Sequence, residues 1–171
     1  MSEDLVRLNY ASTATFEPNE AGGIEVEVAR ILAQSRKNNK AKAVGGVLHY
    51  GNGYFFQALE GERSVVNDVY NTIAADPRHR DVQILSFDSV PDRLFADWSM
   101  KYVPLEDQIH SLLDRCGIDF NPYRFSDDFV REFLNLCVYG EDPTVKLERE
   151  AEREAATGGD QRPWWKRLLG W

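Results

Sequence analysis

The sequence predicts an α+β fold: a ferredoxin-like mixed β-sheet in the order β-α-β-β-α-β-β, with two helices on one face and two later helices covering the other. Three observations predict it. Residues 45–61 hold two β-prone runs joined by Gly51-Asn52-Gly53, the signature of a hairpin. An amphipathic helical stretch lies on each side of that hairpin, and each has an alternating strand beyond it. Two further helical stretches follow the last strand, where the second face of the sheet needs a cover.

Residues 5–10 alternate, with Val6, Leu8 and Tyr10 on one side and Leu5, Arg7 and Asn9 on the other. After a loop with Pro18 and Gly22-Gly23, the next stretch fits a strand through Ile24, Val26 and Val28 and a helix through Ile24, Val28, Ile31, Leu32 and Ser35. The continuation through Ala33 and Gln34 decides for a helix, because a strand of that length is unusual. On the second hairpin strand Phe55, Gln57 and Leu59 share a face, which sets an amide between two large apolar neighbours.

Val65, Val66, Val69, Tyr70 and Ile73 form the apolar stripe of a helix over 64–75, with Ser64 as its expected cap and Asp76-Pro77 as its end. Strands are expected over 82–90 and 95–103, the second presenting Ala96, Trp98, Met100 and Tyr102 on one face. A helix carrying Leu105, Ile109, Leu112, Leu113 and Cys116 then closes at Gly117. Another is capped by Ser126 and carries Phe129, Phe133, Leu134 and Cys137.

Composition narrows the function. The chain has 171 residues, net charge −8, 43% apolar and 28% charged residues, ordinary values for a soluble protein with a core. No run approaches the roughly 18 apolar residues of a membrane span, and the acids near the N-terminus are unlike a signal peptide. A cytoplasmic location is expected, with Cys116 and Cys137 as buried free thiols. The acidic excess opposes general nucleic-acid binding, and three His without a Cys-x-x-Cys pair give no metal site.

The usual catalytic signatures, Gly-x-Ser-x-Gly, His-Glu-x-x-His and Ser-x-x-Lys, do not occur, and the glycine pairs open no phosphate-binding loop. What stands out is a set of neutral hydrogen-bonding groups: Tyr10, Asn38, Asn39 and Gln57. Singly they read as a core tyrosine, a helix C-cap and a satisfied buried amide. Jointly they describe an apolar slot with amides at one edge, which suits a flat heteroaromatic ligand bearing alternating carbonyls and ring N–H groups. The isoalloxazine ring of a flavin is such a ligand.

Five segments carry a family resemblance: Leu8-Asn9-Tyr10-Ala11-Ser12, Ser35-Arg36-Lys37-Asn38-Asn39, the hairpin from Gly46-Val47-Leu48 to Phe56-Gln57-Ala58-Leu59-Glu60-Gly61, Asp76-Pro77-Arg78-His79, and Arg93 through Met100. In this order the chain resembles the BLUF domains, blue-light sensors that use FAD. The resemblance implies a flavin-binding photosensor domain over 1–104, a two-helix cap over 105–140 and a charged, Trp-rich tail over 141–171. The cofactor implied is FAD, with FMN or riboflavin left open because nothing in the sequence marks a grip on the adenine end.

By the resemblance, Tyr10 donates an electron and then a proton, and Gln57 bridges Tyr10 and the flavin edge. Asn38 and Asn39 hold the pyrimidine side, and Arg78 and His79 approach it. Trp98 and Met100 on the fifth strand sense the rearrangement. Helix periodicity offers Ile24, Ile31, Val66 and Ile73 as apolar walls. One departure is visible: Gly45 stands where the family usually has a small polar or β-branched residue, which is expected to loosen the strand.

Two other classes compete, a small redox flavoprotein and, less favoured, an RNA-binding ferredoxin-like module in which Phe55 and Phe56 would stack on bases. About 67 residues follow residue 104, too few for a cyclase or phosphodiesterase, so no attached enzyme is expected. The signal is expected to leave through an effector protein or a homo-oligomer interface. The Trp-rich tail, which holds three of the four Trp beside Arg162, Lys166 and Arg167, either packs on itself, stays disordered, or offers an effector or weak membrane-surface contact.

Overall fold

A computed structural model of the chain describes residues 4–17, 25–104 and 107–168. Five strands form one mixed sheet in the order β4-β1-β3-β2-β5. β1 (Leu5–Ala14) pairs antiparallel with β3 (Tyr54–Glu62) and with β4 (His79–Ser89); β2 (Gly45–Gly51) pairs antiparallel with β3 and parallel with β5 (Lys101–Tyr102). β4 is an edge strand whose register against β1 shifts between Asn9 and Tyr10 and again between Ala11 and Thr13. The alternation read from the sequence holds: Val6, Leu8 and Tyr10 are buried on one face with Phe55 and Leu59.

That face is covered by α1 (Val26–Ala41) and α2 (Arg63–Ala74), which contribute Val28, Ile31, Leu32, Val66 and Val69 to the core. The opposite face carries Val47, Phe56 and Ala58. It is covered by α3 (Asp107–Cys116) and α4 (Asp127–Tyr139) through Ile109, Leu112, Leu113, Phe129, Phe133 and Leu134. His49 is enclosed there against the Phe120 and Phe133 rings, its Nδ1 2.6 Å from the Val103 carbonyl; burial pulls its pKa down to about 4.

Several local expectations are corrected. Ser64 is not the cap of α2: Glu62 is, its carboxylate accepting from the Ser64 and Val65 N–H groups. Asn38 and Asn39 lie inside α1, whose C-cap is Lys42, followed by Ala43 with a φ of 52°. Cys137 is buried but Cys116 is exposed, because the apolar stripe of α3 ends at Leu113. Leu105, expected in this helix, and Ile24, expected in the first, lie outside the described residues.

The strand expected over 95–103 shrinks to two residues. The reason is Glu60, fully buried on β3, which pairs with Arg7 Nε at 2.6 Å and accepts from the Leu94 and Phe95 N–H groups at 3.1 and 2.9 Å. Those bonds hold residues 94–98 as a turn against the sheet. Gly45 makes room for the turn: a Cβ there would stand 2.5 Å from the Phe95 carbonyl oxygen. The departure at Gly45 therefore admits a close backbone approach, and the strand it belongs to keeps its pairing with Glu60.

The charged tail folds as α5 (Pro143–Ala156) and α6 (Trp164–Leu168). Its charge hides the anchors, Thr144, Ala151 and Trp164, which are all buried against the α1 side of the molecule.

Candidate functional site

A cleft with a cavity volume of about 70 Å³ opens between α1 and α2 above β1 and β3. The two helices supply apolar walls, Ile31 from α1 and Val69 and Ile73 from α2. Tyr10 and Gln57 lie at the floor because they are cross-strand partners on the face that both helices cover.

The Tyr10 hydroxyl donates to Gln57 Oε1, and Gln57 Nε2 lies 3.4 Å from Met100 Sδ. Tyr10 is fully buried, and desolvation, with a smaller contribution from Tyr70, pushes its pKa far up. It is a neutral phenol throughout the working range. The Tyr70 ring meets it edge-on, with centroids 5.7 Å apart. Gln57 is a primary amide with two N–H groups, and the thioether is a weak acceptor for one of them.

Asn38 and Asn39 both line the cleft. Asn38 is exposed towards it, whereas Asn39 is buried and donates to the Ser99 carbonyl at 3.0 Å. Arg78 bridges the cleft's end, with Nη2 2.7 Å from Gln34 Oε1 and 2.6 Å from Asp76 Oδ2. That ion pair holds the Asp76 carboxyl below its usual pKa. His79 is buried beside Phe55 with Nδ1 2.8 Å from Ser12 Oγ; burial lowers its pKa to about 4, so it is a neutral imidazole at the rim.

Two expected wall residues are not in the cleft. Val66 is fully buried one turn below it, packed on Gly61, and Val69 takes the wall position instead. Ile24 lies outside the described residues. Ser35, which opens the family segment 35–39, lines the cleft as well, as do Gln34, Lys42 and Thr72, which the sequence did not mark. Gln34 lies on the helical face of Ile31 and Asn38, so periodicity could have found it.

Trp98 and Met100 do not share a face. Met100 is buried beside Gln57 on the cleft side. Trp98 is half-buried against the other core, with Lys101 Nζ 4.3 Å from its ring centroid. The turn held by Glu60 changes the register between them, so alternation from the strand does not apply.

The donor set fits a flavin. Asn38, Asn39 and Gln57 supply carboxamides to a slot with apolar walls; the one carboxylate among its described lining residues, Asp76, is paired with Arg78.

Comparison with known proteins agrees. The family model for sensors of blue light using FAD matches residues 5–101. The chain is 33% identical over 151 residues to photoactivated adenylate cyclase subunit beta of Euglena longa, covering 84% of this chain and 17% of that protein. It is 26% identical over 131 residues to the blue light- and temperature-regulated antirepressor BluF of Escherichia coli (strain K12), covering 74% of this chain and 32% of that one. The chain thus spans a minor part of these curated relatives. Among solved structures, photo-activated BlsA superposes with a TM-score of 0.72 at 34% identity over 81% of this chain and 97% of its own. Dark-state BlrB, described as a BLUF protein, gives 0.66 at 26% identity over 81% and 98%. The chain belongs to the BLUF family, the sensors of blue light that use FAD.

Proposed function

We propose that this chain senses blue light through Tyr10, Gln57 and Met100, and that its output is a changed protein contact. The observation that carries the reading is the continuous path from the Tyr10 hydroxyl through the Gln57 carboxamide to Met100 Sδ at the floor of the cleft. Asn38, Asn39 and the outer N–H of Gln57 would hold the polar edge of FAD. Arg78 and the neutral His79 would close the end of the slot, between the walls Ile31, Val69 and Ile73. Bound there and photoexcited, FAD would supply a strong oxidant to these residues.

The chain's own residues do the rest. Tyr10 is the reductant; because burial keeps it protonated its proton must leave when its electron does, and both return to it once the Gln57 amide has turned, so no net oxidation remains. The acceptor touching that hydroxyl is Gln57 Oε1. Turning the Gln57 amide end for end exchanges Oε1 and Nε2. The turned amide can donate to Tyr10, but it sets its oxygen against Met100 Sδ, an acceptor against an acceptor. Two arrangements therefore exist, the resting one lower in energy, and the second pushes on Met100.

For the output we favour a partner protein or self-association, a reading supported by the E. coli relative, which is an antirepressor. An enzymatic output within these residues has no support in the site chemistry. Among the described residues no helix is long and apolar enough to cross a membrane. A cytoplasmic location is in keeping with two unbridged cysteines.

The test is the visible absorption spectrum of the purified protein before and after blue light. A yellow protein whose flavin band moves reversibly to the red is expected. A yellow protein with an unmoved band, or one that turns over reduced nicotinamide, would replace this reading by that of a redox flavoprotein.

A further inference from the structure

We infer that Arg36 is a positioning residue that latches α5 and α6 to the dark arrangement of Met100, so that the C-terminal helices dock in the dark and loosen in the light. The inference rests on the proposed switch at Tyr10, Gln57 and Met100. Arg36 leaves α1 on the side away from the cleft, and it is buried, with 8% of its surface exposed. All three guanidinium nitrogens are engaged.

Arg36 Nε donates to the Met100 carbonyl at 3.0 Å. Its Nη2 donates to Asp142 Oδ2 at 2.6 Å and to Thr144 Oγ1 at 2.7 Å, while Nη1 meets Glu148 Oε2 at 3.1 Å. The same Asp142 oxygen accepts from the Tyr102 N–H at 2.7 Å. Asp142 is also the N-cap of α5, accepting from the Thr144 N–H. On the far side, the Arg36 guanidinium lies over the Trp164 ring, 5.3 Å from its centroid, and Arg30 lies over Trp165 at 5.2 Å.

One guanidinium thus joins four parts of the chain: the helix that walls the cleft, the backbone of the residue that meets Gln57, the start of α5, and α6. The node is stiff because its members are enclosed: the Asp142 side chain is 3% exposed and Thr144 2%. A rigid planar fork in such a setting has few alternative geometries. A displacement of Met100 that moves its carbonyl must therefore lengthen one of these bonds or move Asp142 with it. A buried ion pair that loses its alignment costs several times an exposed one, so the coupling is strong enough to matter. Thermodynamic reciprocity then applies: if the lit state weakens docking of α5, then weakening the docking stabilises the lit state.

The full chain, loaded with flavin, tests this. Lys146, Arg149 and Arg153 are exposed on α5, so trypsin cleavage there reports its opening. The expected result is cleavage several-fold faster under blue light than in the dark. Asp142→Asn is expected to be cut in the dark at near the lit rate and to recover from light several-fold more slowly, with the full red shift. Arg36→Lys, which keeps the charge without the fork, is expected to behave likewise. If Asp142→Asn or Arg36→Lys does not fold, the light-to-dark cleavage ratio of the natural protein decides. An undiminished red shift with equal cleavage in dark and light overturns the latch and leaves the Tyr10–Gln57 switch standing. A bound flavin with no red shift overturns both.

Discussion

Gln57 Nε2 and Met100 Sδ stand 3.4 Å apart, which places a thioether directly behind the amide at the floor of the cleft. The contact is unsymmetrical. An N–H can donate weakly to sulfur, whereas a carboxamide oxygen turned to the same place finds no donor. The resting orientation of Gln57 is favoured by this neighbour as well as by Tyr10.

Met100→Leu preserves the volume and removes both the weak bond and the clash of acceptors. FAD binding and the red shift should survive, and the lit state should live longer, by roughly 2- to 5-fold for a change of about 0.5–1 kcal/mol. Absorbance recovery in the dark, followed after a light pulse, measures this; faster recovery would contradict the asymmetry.

Tyr10→Phe should remain yellow and lose the red shift altogether, because the proton and electron source is gone. It should also lose about 1–3 kcal/mol of stability, since Gln57 Oε1 is left enclosed without its donor. Gln57→Leu should bind flavin and fail to switch. Difference spectra and urea unfolding separate the two effects, and a normal photocycle in either variant would remove that residue from the switch.

Glu60→Gln tests the turn. The carboxylate pairs with Arg7 and holds two backbone N–H groups from a fully buried position, so the neutral amide should cost about 3 kcal/mol by denaturant unfolding. Gly45→Ala should also be destabilised, by about 1–3 kcal/mol, as the added Cβ pushes the Phe95 carbonyl away.

Stability should fall with acid below neutral pH. His49 and His79 have folded pKa values pulled down by burial to about 4, against roughly 6.5 in an unfolded chain. Between those values the unfolded chain binds more protons than the folded one, so stability rises with pH across this window. Their contribution is complete above about pH 6.5 and is lost as pH drops towards 4, at up to about 1.4 kcal/mol per pH unit for each group. Urea midpoints at pH 7 and pH 5 should show the loss; equal midpoints would mean that the imidazoles are already charged.

Periodicity made the sheet faces and the Tyr10–Gln57 pair legible, because both residues fall on strands whose alternation is clean. The same rule misplaced Trp98 against Met100. Residues 94–98 take their course from Glu60, and the contact between positions more than thirty residues apart leaves no local trace. Val66 and Val69 share a helical stripe, and which of them reaches the cleft depends on how α2 lies on the sheet. The buried anchors of α5 are Thr144 and Ala151, small residues that carry little hydropathy signal in a charged helix.

The contrast between the two cysteines has a practical outcome. Cys137 is enclosed and Cys116 is at the surface of α3, on the far side of the sheet from the cleft. A maleimide dye should therefore modify the native protein at one position without any mutagenesis. A fluorophore placed there would watch the sheet's opposite side during illumination while leaving the yellow chromophore's surroundings untouched.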